Sequence, residues 1–332
     1  MGVLGTMSAI GTALGPTLGG ALITTAGWQY IFWVQVPVGL LAVLFAYRFL
    51  PPDASQSKVQ QPPRFDYGGT LLLALSLAAF ALAMTLGRGQ FSGVNAALLL
   101  CAVVGVGLFI ATQRGKPFPL VRFEVFANPA IGTGFAANLL VTTVVMATLI
   151  VGPFYLGGAL SLDSVHVGMV MSTGPLVAAL AGVPAGRLVD RFSARRMSLL
   201  GLGVMAAGSA ALAPMALSAG LSGYIGALAL LTAGYALFQG ANNTSVMADI
   251  SAEQRGVVSG LLNLSRNLGL IAGASAMGVV YSLGVAATAL PVTHVLAITG
   301  GMIVVFGIST LLVLVSFALI YRNVADYQLL EC

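Results

Sequence analysis

Residues 130–152 read AIGTGFAANLLVTTVVMATLIVG, twenty-three positions without a charged side chain. A bilayer's hydrocarbon core is about 30 Å thick and takes about 20 apolar residues of helix to cross. Only helices and closed barrels satisfy their backbone in lipid, and the segment lacks the period-two alternation of a barrel strand. It predicts a transmembrane helix. Comparable runs fall at 2–23, 31–50, 67–87 and 94–113 before it, and at 165–186, 197–217, 222–247, 256–282 and 294–320 after it. The fold class that follows is an all-α polytopic membrane protein with about ten transmembrane helices.

Composition agrees. The chain has 332 residues, of which 58% are hydrophobic and 7% charged, with a mean hydropathy of +0.99. A soluble domain carries roughly 25% charged residues, so a water-soluble body is excluded and the lipid bilayer is the expected partner. The 42 glycines suit helices packed closely in lipid. Cys101 and Cys332 make no disulfide framework. There is no Walker A loop, HExxH pair or zinc-type Cys/His cluster, so no metal and no cofactor is expected.

The basic residues are sided. Arg48, Lys58, Arg64, Arg114, Lys116, Arg122, Arg187, Arg191, Arg195, Arg196, Arg255 and Arg322 fall on one side if the spans alternate. Arg88 falls on the other, and Arg266 lies inside a span. By the positive-inside rule both termini are expected in the cytoplasm. The same sidedness accounts for the basic pI without a nucleic-acid partner. Pro51 to Asp66 reads as a flexible linker, and the stretch from Phe118 to Pro129 as a segment along the inner membrane surface. No acidic residue falls inside a span; Asp163 is expected outside and the other acids in or near cytoplasmic segments.

Four groups of residues are candidates for function. In the first span, Gly11, Gly15 and Gly19 recur every four residues and make a groove for a neighbouring helix, Pro16 bends it, and Gly20 follows. The segment 186–196 holds Gly186, Asp190, Arg191, Arg195 and Arg196, either as a cytoplasmic gate loop, with Asp190 accepting from a nearby helix N-terminus and the arginines pairing with acids of an opposite bundle so that the inner gate is held shut, or as a plain positive-inside anchor. Gln239, Asn242 and Asn243 fall in the eighth span, and Asn263, Arg266 and Asn267 in the ninth. Ser251 and Gln254 would form a capping box opening that span, which puts Arg266 about 22 Å along the helix at 1.5 Å per residue. A charge at that depth is expected to face a polar interior or to snorkel towards the inner surface. Gln35 and Asn138 either line a cavity or bond helix to helix, and Tyr30, Phe32 and Trp33 read as an interface belt.

The pattern from Gly11 to Gly20 resembles the antiporter motif carried by the fifth helix of drug-exporting members of the major facilitator superfamily. Gly27 to Gly39 resembles the loop and sixth-helix entry that follow, with Gln35 where Asn is expected. Arg64 to Gly69 and Pro119 to Phe126 resemble the fourteen-span drug:proton antiporters of the EmrB/QacA type. Gly186 to Arg196 resembles the second copy of the superfamily's cytoplasmic loop signature, with Ser193 in place of Gly and so a less tight turn expected. The stretches around Gln239 and Asn263 resemble the same subfamily.

The resemblance implies a division into the last two helices of an N-terminal bundle (1–50), a linker (51–66), two extra helices (67–113), a second linker (114–129), a six-helix C-terminal bundle (130–320) and a cytoplasmic tail (321–332). It implies that four helices are missing ahead of Met1. The expected function is secondary active efflux, by alternating access, of amphipathic cationic or neutral drugs or other small organic compounds in exchange for protons. The proton gradient would be the energy source and the protein a monomer in a bacterial inner or plasma membrane. Two other readings stand beside it: a transport-incompetent C-terminal fragment of such an exporter, and an intramembrane serine protease using Ser222 with His294 as base. No enzyme activity is expected.

Overall fold

The computed structural model describes residues 18–19, 22, 25–27, 29–49, 66–86, 92–114, 116, 129–248, 250–251, 254–288 and 294–330. The first expected span, with Gly11, Gly15, Pro16 and Gly20, lies outside the described residues apart from a few positions near its end. So do most of both linkers. Every described element is helical: α1 (Gln29–Phe49), α2 (Tyr67–Thr85), α3 (Gly93–Arg114), α4 (Pro129–Phe154, continued by a π-helical turn, Tyr155–Ala159), α5 (Ser164–Met171), α6 (Thr173–Arg191), α7 (Ala194–Met247), α8 (Arg255–Thr288) and α9 (His294–Leu330). Eight spans among the described residues are long and apolar enough to cross a bilayer, one of which, α7, is folded double.

Sequence signals explain where these helices begin and bend. Pro129 occupies the first turn of α4, where its missing N–H costs nothing. Asp66 caps α2 by accepting from Gly69 N at 2.8 Å. α7 reverses at Gly220, whose φ of +56° and ψ of −131° belong to backbone that only glycine enters without strain. The arms 194–219 and 221–247 then run antiparallel and touch backbone to backbone. A Cβ on Gly201 would stand 2.5 Å from Phe238 N and 2.9 Å from Gly234 O. Small residues here do what they do in lipid generally, bringing helix axes close.

The expected boundaries need three adjustments. The sixth span is divided at Ser172 into α5 and α6, and α6 runs on to Arg191, so Gly186 and Asp190 are helical rather than in a loop. α9 continues to Leu330, through most of the expected tail. The ninth span opens at Arg255, one residue from the expected 256, but without the capping box expected at Ser251, and it runs on to Thr288. No capping box forms there: Ser251 accepts from Gln254 N and Arg255 N through its backbone carbonyl, and Arg255 Nε donates to Ile250 O.

Cross-helix contacts fix the direction of each helix. α4 is central. α8 rises parallel to it, with Ser265 Oγ donating to Phe135 O and Thr143 Oγ1 donating to Gly269 O farther along. The second arm of α7 descends beside it, Asn242 meeting Gly134 and Tyr224 meeting Gly152. α9 is antiparallel to α8, with Gly284 against Gly301. α2 and α3 form their own hairpin, closed at one end by Asp66 with Gln113 and Lys116, and at the other by Asn95 Nδ2 donating to Ala83 O and Leu86 O. These directions alternate along the chain. The main core joins α4, α5, both arms of α7, α8 and α9 around Tyr155, Leu202, Met205, Tyr224 and Phe306. α1 buries no residue.

Candidate functional site

α8 has two unlike faces. Val258, Leu262, Ser265, Met277 and Tyr281 are buried along one stripe, and its lower half forms the seam with α4. Asn138 Nδ2 donates to Leu262 O at 3.0 Å across that seam, Ser265 Oγ to Phe135 O at 2.6 Å, and Thr143 Oγ1 to Gly269 O at 3.1 Å. On the other face Gly256, Ser259, Gly260, Asn263, Arg266 and Asn267 are exposed.

What is exposed there differs in kind from what is exposed elsewhere. α3 presents Leu100 (65% exposed) and Val103 (69%), and α9 presents Leu311 (62%) and Leu314. Those faces suit lipid. From Arg255 to Asn267 the one large hydrophobic among the exposed side chains of α8 is Val257. Asn263 and Asn267 donate to the carbonyls of Ser259 and Asn263, at 3.3 and 2.8 Å, which leaves their amide oxygens facing outward. Arg266 stands 11 residues past Arg255, about 16 Å along at 1.5 Å per residue, about a third of the way into the 34-residue α8 and inside the apolar span. A charge there costs about 2.5–3.5 kcal/mol against lipid on the insertion scale. The face therefore suits water or protein better than lipid.

The second arm of α7 supplies the neighbouring wall. Asn243 is exposed. The amide oxygen of Gln239 is buried with no hydrogen-bond partner, as is that of Asn138. Asn138 resolves as a helix-to-helix donor rather than a cavity-lining residue. Asn242 likewise is buried and donates to Gly134 O at 3.2 Å. Tyr235, one helical turn before Gln239, lies within electrostatic range of Arg266. Nothing in the sequence singled it out, because a tyrosine in an apolar run carries no local signal of what lies across from it.

The segment 186–196 is arranged otherwise than expected. Asp190, exposed in the last turn of α6, makes no hydrogen bond or ion pair among the described residues. The turn to α7 needs only Phe192 and Ser193; both have ordinary extended backbone, Ser193 at φ −59°, ψ +131°. No left-handed residue is required, which is why serine serves where the resemblance led one to expect glycine, and the turn is tight. The Arg191 guanidinium lies 5.7 Å from the centre of the Phe192 ring, a cation–π distance. Gly186 and the exposed Arg196 have no partner in this turn. Arg195 instead lines a crevice of about 20 Å³ with Thr133, Gly134, Ser198, Asn242 and Ser245, room for about one water.

Other candidates are not brought to the α8 face. Gln35 is exposed on α1, as are Tyr30, Phe32 and Trp33, which suits the interface belt. Gly19 has nothing near the position of a Cβ. Ser222, the proposed protease nucleophile, donates to the carbonyl of Ala219 in its own helix at 2.9 Å; the His294 side chain lies outside the described residues.

The strongest electrostatic feature among the described residues was missed as a contact. Asp66 accepts from Lys116 Nζ at 2.7 Å, from Gly69 N and from the buried Gln113 amide. The Lys116 bond first, then those of Gly69 and Gln113, hold its carboxyl down to about 2. An Asp directly ahead of an apolar run is a helix-start signal and could have pointed to half of this clamp. Asp163 caps α5 in the same way, and its pKa is lowered by the side-chain bond to His166 and by His166 N.

Residues 1–274 match the family model described as Major Facilitator Superfamily. "Uncharacterized transporter YebQ" of Escherichia coli is 31% identical over 83% of this chain and 60% of its own length. "Drug efflux pump JefA" of Mycobacterium tuberculosis is 32% identical over 86% of this chain and 55% of its own length. "Lincomycin resistance protein LmrB" of Listeria monocytogenes is 27% identical over 60% and 42%. The chain thus spans about half the length of the curated relatives it matches.

Proposed function

Since the chain belongs to the Major Facilitator Superfamily, an integral-membrane transporter family rather than an enzyme one, we propose that it acts in secondary active export of small amphipathic organic compounds, as part of the fourteen-span drug:proton antiporter group. The observation that carries this reading is the exposed polar face of α8. Ser259, Asn263, Arg266 and Asn267 are exposed on the first half of an apolar span, where a lipid-facing helix would present Leu and Val. A cavity between two bundles is what such a face serves, and rocking of one bundle against the other opens that cavity to each side in turn. The drug-efflux relatives support the substrate class, and the basic residues support cytoplasmic termini. Protons are the proposed coupling ion. Among the described residues the carboxylates lie at helix ends or beyond the spans, so these spans contribute cavity and gate rather than the proton carrier.

The test is uptake of a fluorescent amphiphile into everted membrane vesicles containing the chain. Energising respiration should drive accumulation, and a protonophore should collapse it. Accumulation indifferent to the protonophore would overturn proton coupling, and none above empty vesicles would overturn autonomous export. A second reading, a C-terminal portion that needs further helices to transport, is favoured by α1, which buries no residue. Restoration of uptake by co-expressing the N-terminal helices of a relative would decide for it.

A further inference from the structure

We propose that the α8 cavity face selects organic anions, with Arg266 taking the carboxylate or sulfonate of an amphipathic substrate. The inference rests on the exporter reading and assigns its substrate class, against the cationic or neutral compounds expected from the sequence.

Four observations converge. Arg266 is exposed on the polar face, about 16 Å along α8, and has no hydrogen bond or ion pair among the described residues. A guanidinium cannot shed its proton to escape a low-dielectric site, so its charge is relieved by an arriving anion and aggravated by an arriving cation. The described spans hold no carboxylate to neutralise it; Asp66, Asp163 and Asp190 all stand at helix ends. Finally, Tyr235 on the second arm of α7 lies within electrostatic range of Arg266. Guanidinium and phenol are both donors, and an oxyanion accepts from both at once, bidentate at the arginine. Asn263 and Asn267 flank the site with outward amide oxygens that accept from hydroxyl or amide groups on the same molecule. The apolar part of an amphiphile would lie towards the upper, less polar half of α8.

The carboxylate chemistry has a second source, an acidic side chain from helices of the facing bundle, and the experiment separates the two. The whole chain is placed in nanodiscs of zwitterionic lipid. Binding is measured for two fluorescent probes with one naphthyl body, one ending in a carboxylate and the other in a trimethylammonium. The carboxylate probe should bind at least tenfold tighter. Arg266→Gln should erase that preference, Arg266→Lys should keep part of it, and Arg114→Gln, on the exposed end of α3, should leave it intact. Equal binding of the two probes, a cation preference, or a preference that survives Arg266→Gln would each overturn the proposal; a protein acid already occupying Arg266 would give the first of these. Should Arg266→Gln not fold, loss of the preference in wild type on competition by excess benzoate, with benzyltrimethylammonium inert, gives the same decision. Vesicles that export the ammonium probe with no anion preference would sink this inference and leave the exporter reading. A carboxylate preference in nanodiscs without vesicle uptake would do the reverse.

Discussion

Gly208 and Gly203 stand five residues apart on the first arm of α7 and differ in one respect. A Cβ on Gly208 would collide with the backbone N and Cα of Leu231 on the other arm, whereas a Cβ on Gly203 would meet nothing within 4 Å. Alanine at either place gains up to ~1 kcal/mol of helix propensity. At Gly208 that gain is set against overpacking, which costs about 1–3 kcal/mol when a close-packed site must shift. The obstacle is backbone, so no side-chain rotation relieves it, and the arms must separate. The net expectation is a loss of about 1–2 kcal/mol for Gly208→Ala, roughly 5- to 30-fold in the folded-to-unfolded ratio, and no loss or a small gain for Gly203→Ala. Denaturation of the purified chain in mixed micelles, followed by circular dichroism, measures both. Equal effects would refute the reasoning, since helix propensity alone predicts that the two behave alike.

Three further expectations follow from other parts of the molecule. Gly220→Ala should destabilise the α7 hairpin by about 1–3 kcal/mol, because its φ of +56° with ψ of −131° is closed to residues with a Cβ; a shift in the same micelle titration reads it. Asp66→Asn should lower the unfolding temperature at neutral pH and lose its effect in acid. The folded carboxyl is held at about 2 against an ordinary 3.8, so its contribution is fully present above 3.8 and disappears as pH falls through about 2; a pH series of both proteins checks the sign. Cys101 is exposed on α3 in the middle of an apolar face. In a Cys332→Ser background it should react with a lipid-soluble maleimide in intact vesicles and resist a charged one, as mass spectrometry would show.

How much of this was legible depends on the range of the physics involved. Among the described residues span positions were, because crossing lipid is a property of about twenty consecutive residues, and the break between the seventh and eighth spans was placed correctly although the turn there is a single glycine. The depth of Arg266 was legible to within about 6 Å, the error coming from a capping box that never forms. Asn138 left two readings open, and the structure chose the helix-to-helix bond, because its partner is a backbone carbonyl 124 residues away that no local pattern announces. Asp190 and Tyr235 failed for the same reason in opposite directions. One makes no hydrogen bond or ion pair among the described residues although a helix N-terminus was expected for it, and the other has a neighbour on a different helix.

The bonds that hold the cavity wall also say how it can move. Four side chains cross between α4 and its neighbours to reach backbone carbonyls: Asn138 to Leu262, Ser265 to Phe135, Thr143 to Gly269 and Asn242 to Gly134. Interhelical bonds in lipid average about 0.6 kcal/mol each, so sliding α4 against α8 and the second arm of α7 by one turn would forfeit about 2–3 kcal/mol before any packing is lost. The glycine contacts add a steric reason, since a Cβ on Gly273 would stand 2.7 Å from Thr143 O, and a shifted register would set larger residues at those crossings. Internal shear is therefore a poor route to opening the site. The helices bearing Asn138, Gln239 and Arg266 are tied into one body, and exposing Arg266 first to one side and then to the other requires that body to tilt against whatever faces it. An anion held at Arg266 would travel with the wall, not through it.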